Sequence, residues 1–386
     1  MDVETARWLV SGEAAAALAE AEAHPDPGSL AAATALRRGW SPEQAAAALT
    51  QVALRRRAGT KFGEGANRLF LTPDGLEQAT RWEVAAWRAA RFRAAGAGQV
   101  VDLGCGLGAD ALALLDGGLD VVAVERDPAT AVLAQANLGE RARVLCGDAA
   151  SLAGELLAGG AAVFTDPARR TGAGRTWRVS DFSPPWEFAT GLLEGRVGCI
   201  KAAPGLPSRF LPDSVAVRWV SHRGDLVETS LWSGPWTPGS RVAVLLPSGE
   251  ELDAGERREP PVGPVASYLY EPDPAVIRSG GVAALAERLG AHCPRAGIAY
   301  LFADRPARTA FATAFEVLEE LPYSEASLRR WVRERGVGSL EIKVRGVDVD
   351  PAVLRRRLKP AGTASATLVL TPTPGGARVL VVSRIA

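Results

Sequence analysis

A glycine-rich stretch in the first third of the chain carries the clearest chemical signal. The sequence VVDLGCGLGAD places Gly104, Gly106 and Gly108 two residues apart, directly after a short apolar run. Glycines in the turn that leaves a strand permit positive φ angles and let a ligand approach the backbone closely. Asp102 precedes the first glycine by two residues, and its carboxylate favours a cationic ligand over a pyrophosphate. The GxGxG spacing also differs from the GxGxxG fingerprint of dinucleotide sites.

Two more acidic residues end the next two apolar runs. Glu125 closes LDVVAVE, and Asp148 closes ARVLCGD. Because parallel strands end at one edge of a sheet, these side chains and Asp102 are predicted to converge there. A carboxylate after the second strand accepts both hydroxyls of a ribose, and one after the third is placed to meet an adenine amino group. Arg126 and Ala149, which follow these acids, are predicted to line the same site.

The stretch TDPARR follows a further apolar run, AAVF. Asp166 and Pro167 are predicted to be catalytic, because an acid at such a strand end can hold an amino group for chemistry. Arg169 and Arg170, together with Lys201 at the end of GCIK, are predicted to grip a phosphate backbone. The alternative is that these cations pair with nearby carboxylates or lie on a solvated surface.

Length and composition limit the class of protein. A chain of 386 residues is too long for one ordinary domain, and 47% hydrophobic with 23% charged residues is typical of a soluble globular protein. The N-terminus has no basic region followed by an apolar core, so we expect no export signal and a cytoplasmic protein. Four scattered cysteines without a CxxC pair and three histidines argue against a disulfide framework or a metal site.

The elements that must position these residues follow from periodicity. From residue 99 onwards, apolar strands alternate with helices that end at glycine, which predicts a doubly wound α/β fold with a parallel sheet. The runs SVAVRWVS and LVETSLWS are predicted to form an antiparallel hairpin at one edge. A helix between the fourth and fifth strands is predicted to have Ser183 as its cap.

The region before the sheet is rich in Ala, Leu, Glu and Arg and is predicted to be helical. Ser41 is the expected N-cap of one helix, with Pro42 at its first position. Thr80 and Glu83 have the spacing of a capping box at the start of another. Between these two helices, GTKFGEGANRLFLTPDGLEQ is predicted to be a glycine-rich loop.

The residues at the strand ends resemble those of the class I S-adenosylmethionine-dependent methyltransferases. The resemblance covers about residues 99–233. Asp102 to Gly108 is similar to the first motif of that family, Glu125 to the second and Asp148 to the third. The resemblance implies a Rossmann-like sheet in which these residues bind the methionine end, the ribose and the adenine of S-adenosylmethionine, respectively.

TDPARR then falls at the fourth motif of the family, where the methyl acceptor binds. The amino-methylating branch has an acid or amide, two prolines and an aromatic residue there. Asp166 and Pro167 fit this pattern, whereas Ala168 and Arg169 do not provide the aromatic wall. RNA uracil-5-methyltransferases carry Asp-Pro-Pro-Arg at this place and need a nucleophilic cysteine, for which Cys199 is the candidate. A buried, inert thiol is the other possibility for Cys199.

A longer resemblance covers nearly the whole chain. The stretches GLEQATRWEVAAWRAARF, TDPARR, KAAPGLP and GSLEIKVRGVDVDPAVLRRRLKP are similar to a bacterial group of methyltransferases that end in a THUMP-like domain. THUMP domains of related enzymes dock tRNA or other structured RNA, so the resemblance implies an RNA partner. In many class I enzymes the segment before the first motif covers the cofactor, which implies that Gln78 and Thr80 line its site.

These patterns predict four parts. They are an N-terminal helical region (1–95), a class I methyltransferase domain (96–235), a Pro- and Gly-rich connecting segment (236–304) and an α+β THUMP-like domain (305–386). The last part carries 14 Arg and Lys residues against 8 Asp and Glu, although the whole chain has a net charge of zero. Such an excess suits an anionic partner, and a solvated arginine-rich surface is the alternative.

The predicted function is transfer of a methyl group from S-adenosylmethionine to a nitrogen of an RNA base, in tRNA or rRNA. Two alternatives stay open at this point. One is an RNA C5-pyrimidine methyltransferase that uses Cys199, and the other is a non-catalytic RNA-binding protein that retains a cofactor pocket. An NAD-dependent oxidoreductase is disfavoured by Asp102 and the short glycine motif.

Overall fold

The structure is a computed structural model of the chain. It describes residues 1–169 and 182–385, and at Arg169 it describes the backbone alone. Arg170, which the sequence assigns to the substrate, therefore lies outside the described residues. Within these ranges, no helix combines the length and the apolar character needed to span a bilayer.

Packing divides the chain into two compact units, each described by itself. The first contains residues 1–216 and 228–239, and the second contains residues 217–227 and 240–386. The first unit holds the N-terminal helices and the acids at the strand ends, whereas the second holds the basic tail. The four domain ranges given above stay predictions.

The first unit begins with closely spaced helices. Their bounds are α1 Val3–Leu9, α2 Ala14–Glu22, α3 Leu30–Leu36, α4 Pro42–Phe62, a 3-10 helix Gly63–Arg68, α5 Pro73–Gln78 and α6 Trp82–Ala94. The predicted start of α4 is confirmed: the Ser41 hydroxyl accepts a hydrogen bond from the Gln44 N–H, and the Gln44 side chain accepts one from the Ser41 N–H. Buried alanines and leucines of α1–α5 form one hydrophobic core, whereas Ala89 and Phe92 of α6 pack in the core of the sheet.

The glycine-rich loop predicted between α4 and α6 is wrong for most of its length. α4 continues to Phe62, and the 3-10 helix and α5 lie beyond it. Thr72 starts α5 by accepting a hydrogen bond from the Gly75 N–H, and Pro73 takes the first helical position. This Thr-Pro pair is a regular helix start, which the surrounding glycines obscure in the sequence.

Two predicted helix caps are also wrong. Arg81 precedes α6 without a side-chain capping bond, because the Thr80 hydroxyl instead donates to the buried Asp110 carboxylate at 2.5 Å. The helix predicted to start at Ser183 is α10, which spans Trp186–Gly191 and follows Pro185. Ser183 ends a short strand, and Pro184 and Pro185 separate it from the first residue of α10, so it does not cap the helix. In both cases a tertiary contact outweighs a local capping pattern.

The sheet of the first unit has the predicted alternation of strands and helices. Its strands are β1 Gln99–Leu103, β2 Asp120–Glu125, β3 Arg143–Cys146, β4 Ala162–Thr165, β7 Gly198–Ala202 and β9 Asp225–Ser233, and a separate short pair consists of β5 Ala168–Arg169 and β6 Phe182–Ser183. The sheet order is β9-β7-β4-β1-β2-β3, with β9 antiparallel to β7 and the other pairs parallel. The predicted doubly wound α/β fold is confirmed.

Helices join these strands. They are α7 Ala109–Asp116, α8 Pro128–Leu138, α9 Ala149–Leu156 and α10, with 3-10 helices at Gly139–Arg141 and Ser208–Phe210. Pairing of β1 with β2 and β4 sets Asp102 beside Ala123 and Phe164. The central strand therefore ends in the middle of the carboxyl edge, which is where ligands bind in open parallel sheets.

The second unit is built mainly on antiparallel strands. Its elements are β8 Ala216–His222, β10 Arg241–Leu246, β11 Glu250–Asp253, β12 Tyr268–Pro272, α11 Pro274–Ser279, α12 Val282–Leu289, β13 Leu301–Ala303, β14 Ala312–Pro322, α13 Glu325–Glu334, β15 Val337–Val344, α14 Pro351–Leu358, β16 Ala364–Thr373 and β17 Gly376–Arg384. β8 and β9 follow each other through the turn Arg223–Gly224, as predicted for a hairpin. A second sheet has the order β13-β12-β14-β17-β16-β15.

The predicted α+β character of the tail is visible in this second sheet. β15 pairs in parallel with β16, and β16, β17 and β14 pair antiparallel. α13 and α14 bury Leu328 and Leu354 in the core that covers one face. Their arginines lie on the opposite, exposed side of each helix.

Candidate cofactor-binding and catalytic site

The glycine turn after β1 has the backbone that the sequence predicts. Gly104, Gly106 and Gly108 have φ angles of 93°, 54° and 82°, a region that side-chain-bearing residues rarely adopt. The N–H groups of Gly104 and Cys105 both donate to the Val124 carbonyl at 2.9 Å, which fixes the turn against β2. A Cβ added at Gly104 or Gly106 would meet no protein atom within 4 Å, so the space beside this backbone is open.

Glu125 lies beside this turn at the end of β2. One carboxylate oxygen accepts a hydrogen bond from the Gly106 N–H at 3.0 Å, and the other accepts one from the Asp127 N–H at 2.8 Å. Each carboxylate oxygen keeps a further lone pair for another donor. Glu125 therefore holds the glycine turn and still presents acceptor capacity to a bound ligand.

Asp148 has a structural task that the sequence did not reveal. Its carboxylate accepts hydrogen bonds from the Ser151 N–H and hydroxyl, which makes it the N-cap of α9. α9 had no place in the sequence-based element order. Asp148 and Arg126 are both exposed, whereas Ala149 is buried in the first turn of α9.

Asp102 is the most unusual group at this edge. Its side chain is 1% exposed, and neither carboxylate oxygen has a hydrogen-bond partner among the described residues. Burial, with the nearby carboxylates of Asp110 and Asp166, raises the pKa of Asp102 well above its ordinary value, and Arg88 only partly opposes this. An unpaired buried carboxylate is costly, which points to a cationic ligand that completes it.

Asp166 lies at intermediate depth just after β4, and its carboxylate accepts a hydrogen bond from Lys201 at the end of β7. Burial lowers the pKa of Lys201, but the carboxylates of Asp166 and Asp110 outweigh it and raise that pKa above its ordinary value. Lys201 is therefore charged. Pro167 is buried, and the Thr165 hydroxyl donates to the Leu103 carbonyl at 2.7 Å, which ties the strand end to β1.

A buried ionic network lies behind these residues, and no sequence pattern indicates it. Arg88 of α6 is fully buried and donates to Asp110 at 3.0 Å. It also forms a bidentate pair with Glu228 of β9, with both contacts at 2.9 Å. Burial would raise the pKa of Asp110, but Arg88, Lys201 and Thr80 lower it below its ordinary value. An Arg in an amphipathic helix normally looks like a surface residue, so spacing alone does not find this network.

The segment before the first motif is fastened to the site by two polar side chains. Lys61 donates to the carbonyls of Leu76, Glu77 and Ala79 at 2.6–3.0 Å, which caps the carboxyl end of α5. Asn137 of α8 bridges this segment to the glycine turn, since its side-chain N–H₂ donates to the carbonyls of both Phe70 and Leu107.

The two residues predicted from this segment have different surroundings. Thr80 is buried and bonded to Asp110, so it adjoins the ionic network, whereas Gln78 is exposed at the end of α5. Thr80 therefore contributes to the carboxylate cluster through a hydrogen bond. Of these two side chains, only that of Gln78 is exposed to solvent.

Cys199 is fully buried in β7, and its sulfur lies 3.9 Å from an Arg88 nitrogen. Burial raises the pKa of this thiol to about 12, although Arg88 opposes the change. A thiol in this state is neutral at physiological pH and is a poor nucleophile.

Comparison with known proteins places this geometry in a family. A family model described as THUMP domain-like matches residues 312–384, and one for a domain of unknown function matches residues 2–58. Two proteins of Mycobacterium tuberculosis, from strains CDC 1551 and H37Rv, are each 34% identical over 339 residues, which cover 84% of this chain and 91% of theirs. Both are named uncharacterized S-adenosylmethionine-dependent methyltransferases. The chain belongs to the S-adenosylmethionine-dependent methyltransferases.

A solved structure agrees with the fold of this methyltransferase. A crystal structure from Porphyromonas gingivalis W83, described as that of a methyltransferase, covers 100% of this chain and 99% of its own with a TM-score of 0.78. At 23% identity, this likeness concerns the fold alone. Both the sheet of the first unit and the C-terminal THUMP-like domain predicted from the sequence are thus present.

The geometry of the methyltransferase fits its cofactor. S-adenosylmethionine carries an ammonium group, which matches the unpartnered Asp102 carboxylate, and the open space beside Gly104 and Gly106 leaves room for close backbone approach. Among the described residues, no group of three or more His, Cys, Asp or Glu side chains has the arrangement of a metal site.

The isolated carboxylate of Asp102 generates a stability prediction. Between the ordinary pKa of an Asp and its raised pKa in the fold, the native state binds more protons than the unfolded state, so the free energy of unfolding falls as pH rises. We expect Asp102→Asn to increase the free energy of unfolding of the cofactor-free methyltransferase by about 1–2 kcal/mol at neutral pH and to flatten its pH dependence. Urea denaturation from pH 5 to 8 measures both.

The matched control for this test is Asp120→Asn, because Asp120 is exposed and the change in chemistry is the same. It should leave stability almost unchanged. A methyltransferase that Asp102→Asn destabilises at every pH would contradict the account of Asp102 as an unpaired buried acid.

Proposed function

We propose that this S-adenosylmethionine-dependent methyltransferase methylates a nitrogen of an RNA base, in tRNA or rRNA. The observation that carries the proposal is the Asp166 carboxylate, ion-paired with Lys201 at the same sheet edge as the unpartnered Asp102. Such an edge provides both an acceptor for a cationic cofactor and an anchored acid for the methyl acceptor. The THUMP domain-like match at residues 312–384 supports RNA as the substrate class.

The cofactor-binding residues in this proposal are those at the strand ends. Asp102 accepts from the ammonium of the methionine end, and the glycine turn lies against the cofactor. Glu125 accepts from the ribose hydroxyls with the lone pairs that Gly106 and Asp127 leave available. Asp148 meets the adenine amino group with the acceptor capacity that remains after capping α9.

Four further residues complete the proposed cofactor site. Ala149, buried at the start of α9, packs near the adenine in this proposal, and Arg126 follows Glu125 directly after β2. Gln78 and Thr80 come from the segment that Lys61 and Asn137 fasten to the turn. The Thr80 hydroxyl acts through Asp110, to which it donates.

Asp166 is proposed to orient the methyl acceptor. An N–H of the base donates to this carboxylate, which turns the nitrogen lone pair toward the methyl group and excludes other orientations. Pro167 fixes the backbone that carries the acid. The cofactor supplies a sulfonium-bound methyl group, so positioning and exclusion of water are the main tasks of the protein. The acceptor proton leaves to Asp166 or to water as the new N–C bond forms.

Lys201 acts on Asp166 in this scheme. Its charge is already paired in the ion pair with that carboxylate, so a positioning role is better supported than the phosphate contact first assigned to it. The Lys201 ammonium pairs with the Asp166 carboxylate and limits its rotation. Arg169 keeps its proposed place beside the RNA backbone, as does Arg170 outside the described residues.

The two alternatives have less support. Carbon methylation through Cys199 needs an accessible thiolate, whereas this thiol is fully buried and its pKa is raised to about 12. A non-catalytic protein would have no need to bury an unpaired Asp102 or to hold Asp166 with a lysine. The costs of both arrangements favour an enzyme.

Two helices of the THUMP-like domain are proposed to contact RNA phosphates. α13 and α14 carry Arg330, Arg333, Arg355 and Arg356 on exposed surfaces, and these four form no ion pair among the described residues. Arg357 differs from its neighbours, because it pairs with Glu325 at 2.9 Å. Exposed, unpaired guanidinium groups are the ones available for phosphate.

The cofactor assignment predicts that Asp102→Ala and Glu125→Ala each weaken binding of S-adenosylmethionine and S-adenosylhomocysteine. Loss of charge-assisted hydrogen bonds should cost about 1–3 kcal/mol in each variant. Isothermal titration calorimetry measures the change, with Asp120→Ala as the exposed control and NAD as a ligand that should not bind. Wild-type affinity in both variants would refute the assignment.

The catalytic assignment predicts that Asp166→Ala abolishes methyl transfer while cofactor affinity stays within about threefold of wild type, since Asp166 orients the acceptor rather than the cofactor. Cys199→Ser should retain activity. Transfer of tritiated methyl groups to total RNA measures both variants. A covalent RNA adduct trapped through Cys199 would instead establish carbon methylation.

The RNA assignment predicts that Arg355→Gln combined with Arg356→Gln weakens RNA binding and reduces the slope of log K against log salt by about 1.4–1.8, at about 0.7–0.9 per lost phosphate contact. Arg357→Gln, whose guanidinium is paired with Glu325, is the matched control and should change the slope little. Fluorescence anisotropy with labelled tRNA over a KCl series gives the slopes. Equal slopes for the double variant and wild type would remove α14 from the RNA interface.

A further inference from the structure

The second unit contains a groove that no part of the function described so far uses. Its volume is about 1420 Å³, and all of its lining residues belong to that unit. The lining brings together residues from the β8–β9 turn, the ends of β10, β12 and β17, and the loop before β14. Five arginines line it: Arg223, Arg288, Arg308, Arg345 and Arg384.

The three acidic residues of the groove do not cancel this charge. Asp273 caps α11 through the Ala275 N–H at 2.8 Å and accepts from the Ser221 hydroxyl at 2.9 Å. Glu271 is paired with Lys343 at 2.8 Å as well as with Arg345. Two of the carboxylates therefore serve the fold, and the third, Glu250, lies exposed at the rim.

Several of the arginines are prepared for a ligand. Arg308 and Arg384 are exposed and form no ion pair with any residue that the structure describes. Arg288 lies over the Phe311 ring at 5.4 Å, whereas Arg345 is half-buried and paired with Glu271. Stacking on a ring restricts a guanidinium and leaves its N–H edge free to point outward, which lowers the entropy lost when it binds an anion.

The β8–β9 turn adds an arginine at an unfavourable backbone position. Arg223 has φ of 54°, followed by Gly224 with φ of 89°, so both central residues of the turn are left-handed. Asn, Asp or Gly normally takes the first of these positions, since the left-handed conformation costs other residues roughly 1 kcal/mol. Arg223 lines the groove from this turn.

We propose that this groove binds a single-stranded segment of the RNA substrate by its phosphates, independently of base sequence. The proposal rests on the proposed function, because it takes RNA as the ligand. The volume exceeds the range of about 300–1,000 Å³ that is typical of small-molecule sites, which suits an extended chain. The described lining has no aromatic side chain on which a base could stack, so the contacts are with the backbone.

This anchor is separate from α13 and α14, because none of the arginines on those helices lines the groove. Two groups of phosphate contacts on one domain hold a strand in one direction and register.

The test uses the full-length protein and a short single-stranded RNA of mixed sequence, without cofactor, in fluorescence anisotropy over a KCl series. The groove variant combines Arg308→Gln with Arg384→Gln. The control combines Arg295→Gln with Arg305→Gln, which removes the same charge at exposed positions outside the groove. We expect the groove variant to reduce the salt slope by about 1.4 and the control to leave it unchanged.

A second oligonucleotide of different sequence should bind with the same slope and affinity, and a clear preference for one sequence would overturn the sequence-independent reading. If the groove variant and the control bind RNA equally and the protein still methylates RNA, the groove is not an RNA site and the proposed function stands. Arginine-dependent binding without any methyl transfer to RNA would support the groove as an RNA site and reject the proposed function.

Discussion

A cluster of carboxylates at the carboxyl edge of one sheet is the feature on which the rest of this methyltransferase depends. Asp102, Asp110, Asp166 and Glu228 come from different elements, and like charges this close would repel without cations among them. Arg88 provides the main balance, since it is fully buried and bonded to both Asp110 and Glu228. Removing one partner of a buried ion pair typically lowers the free energy of unfolding by about 3–5 kcal/mol. The network therefore holds α6 firmly against the sheet.

The acids of this cluster differ in whether a cation of the protein is paired with them. Asp110 and Glu228 are satisfied by Arg88, and Asp166 by Lys201, which leaves Asp102 as the acid without a described partner. In the proposed function, one carboxylate binds the cationic cofactor and another orients the methyl acceptor. An aromatic wall of the kind found after Asp-Pro-Pro is not encoded at Ala168 and Arg169, so the proposal assigns orientation of the acceptor largely to the acid.

In the C-terminal unit, the net charge of the sequence does not predict which surface arginines are unpaired. Its tail has a clear basic excess in sequence, but Arg357, Arg345 and Lys343 are spent in ion pairs with glutamates. The available charge lies elsewhere, on one side of α13 and α14 and in the groove lined by arginines distant in sequence. In the proposed function, RNA binding depends on these unpaired groups, because paired surface charges release few counterions.

The sequence by itself determined the parallel sheet, the alternation of its strands with helices other than α9, and the glycine turn with acids at three strand ends, because alternating apolar runs and glycine positions are local patterns. It also determined the cap at Ser41, which acts within one helical turn. Only the tertiary structure decided that Thr80 serves Asp110, that Lys201 holds Asp166 and that Cys199 is buried. Those outcomes depend on contacts between residues 30 or more positions apart, which no local spacing encodes.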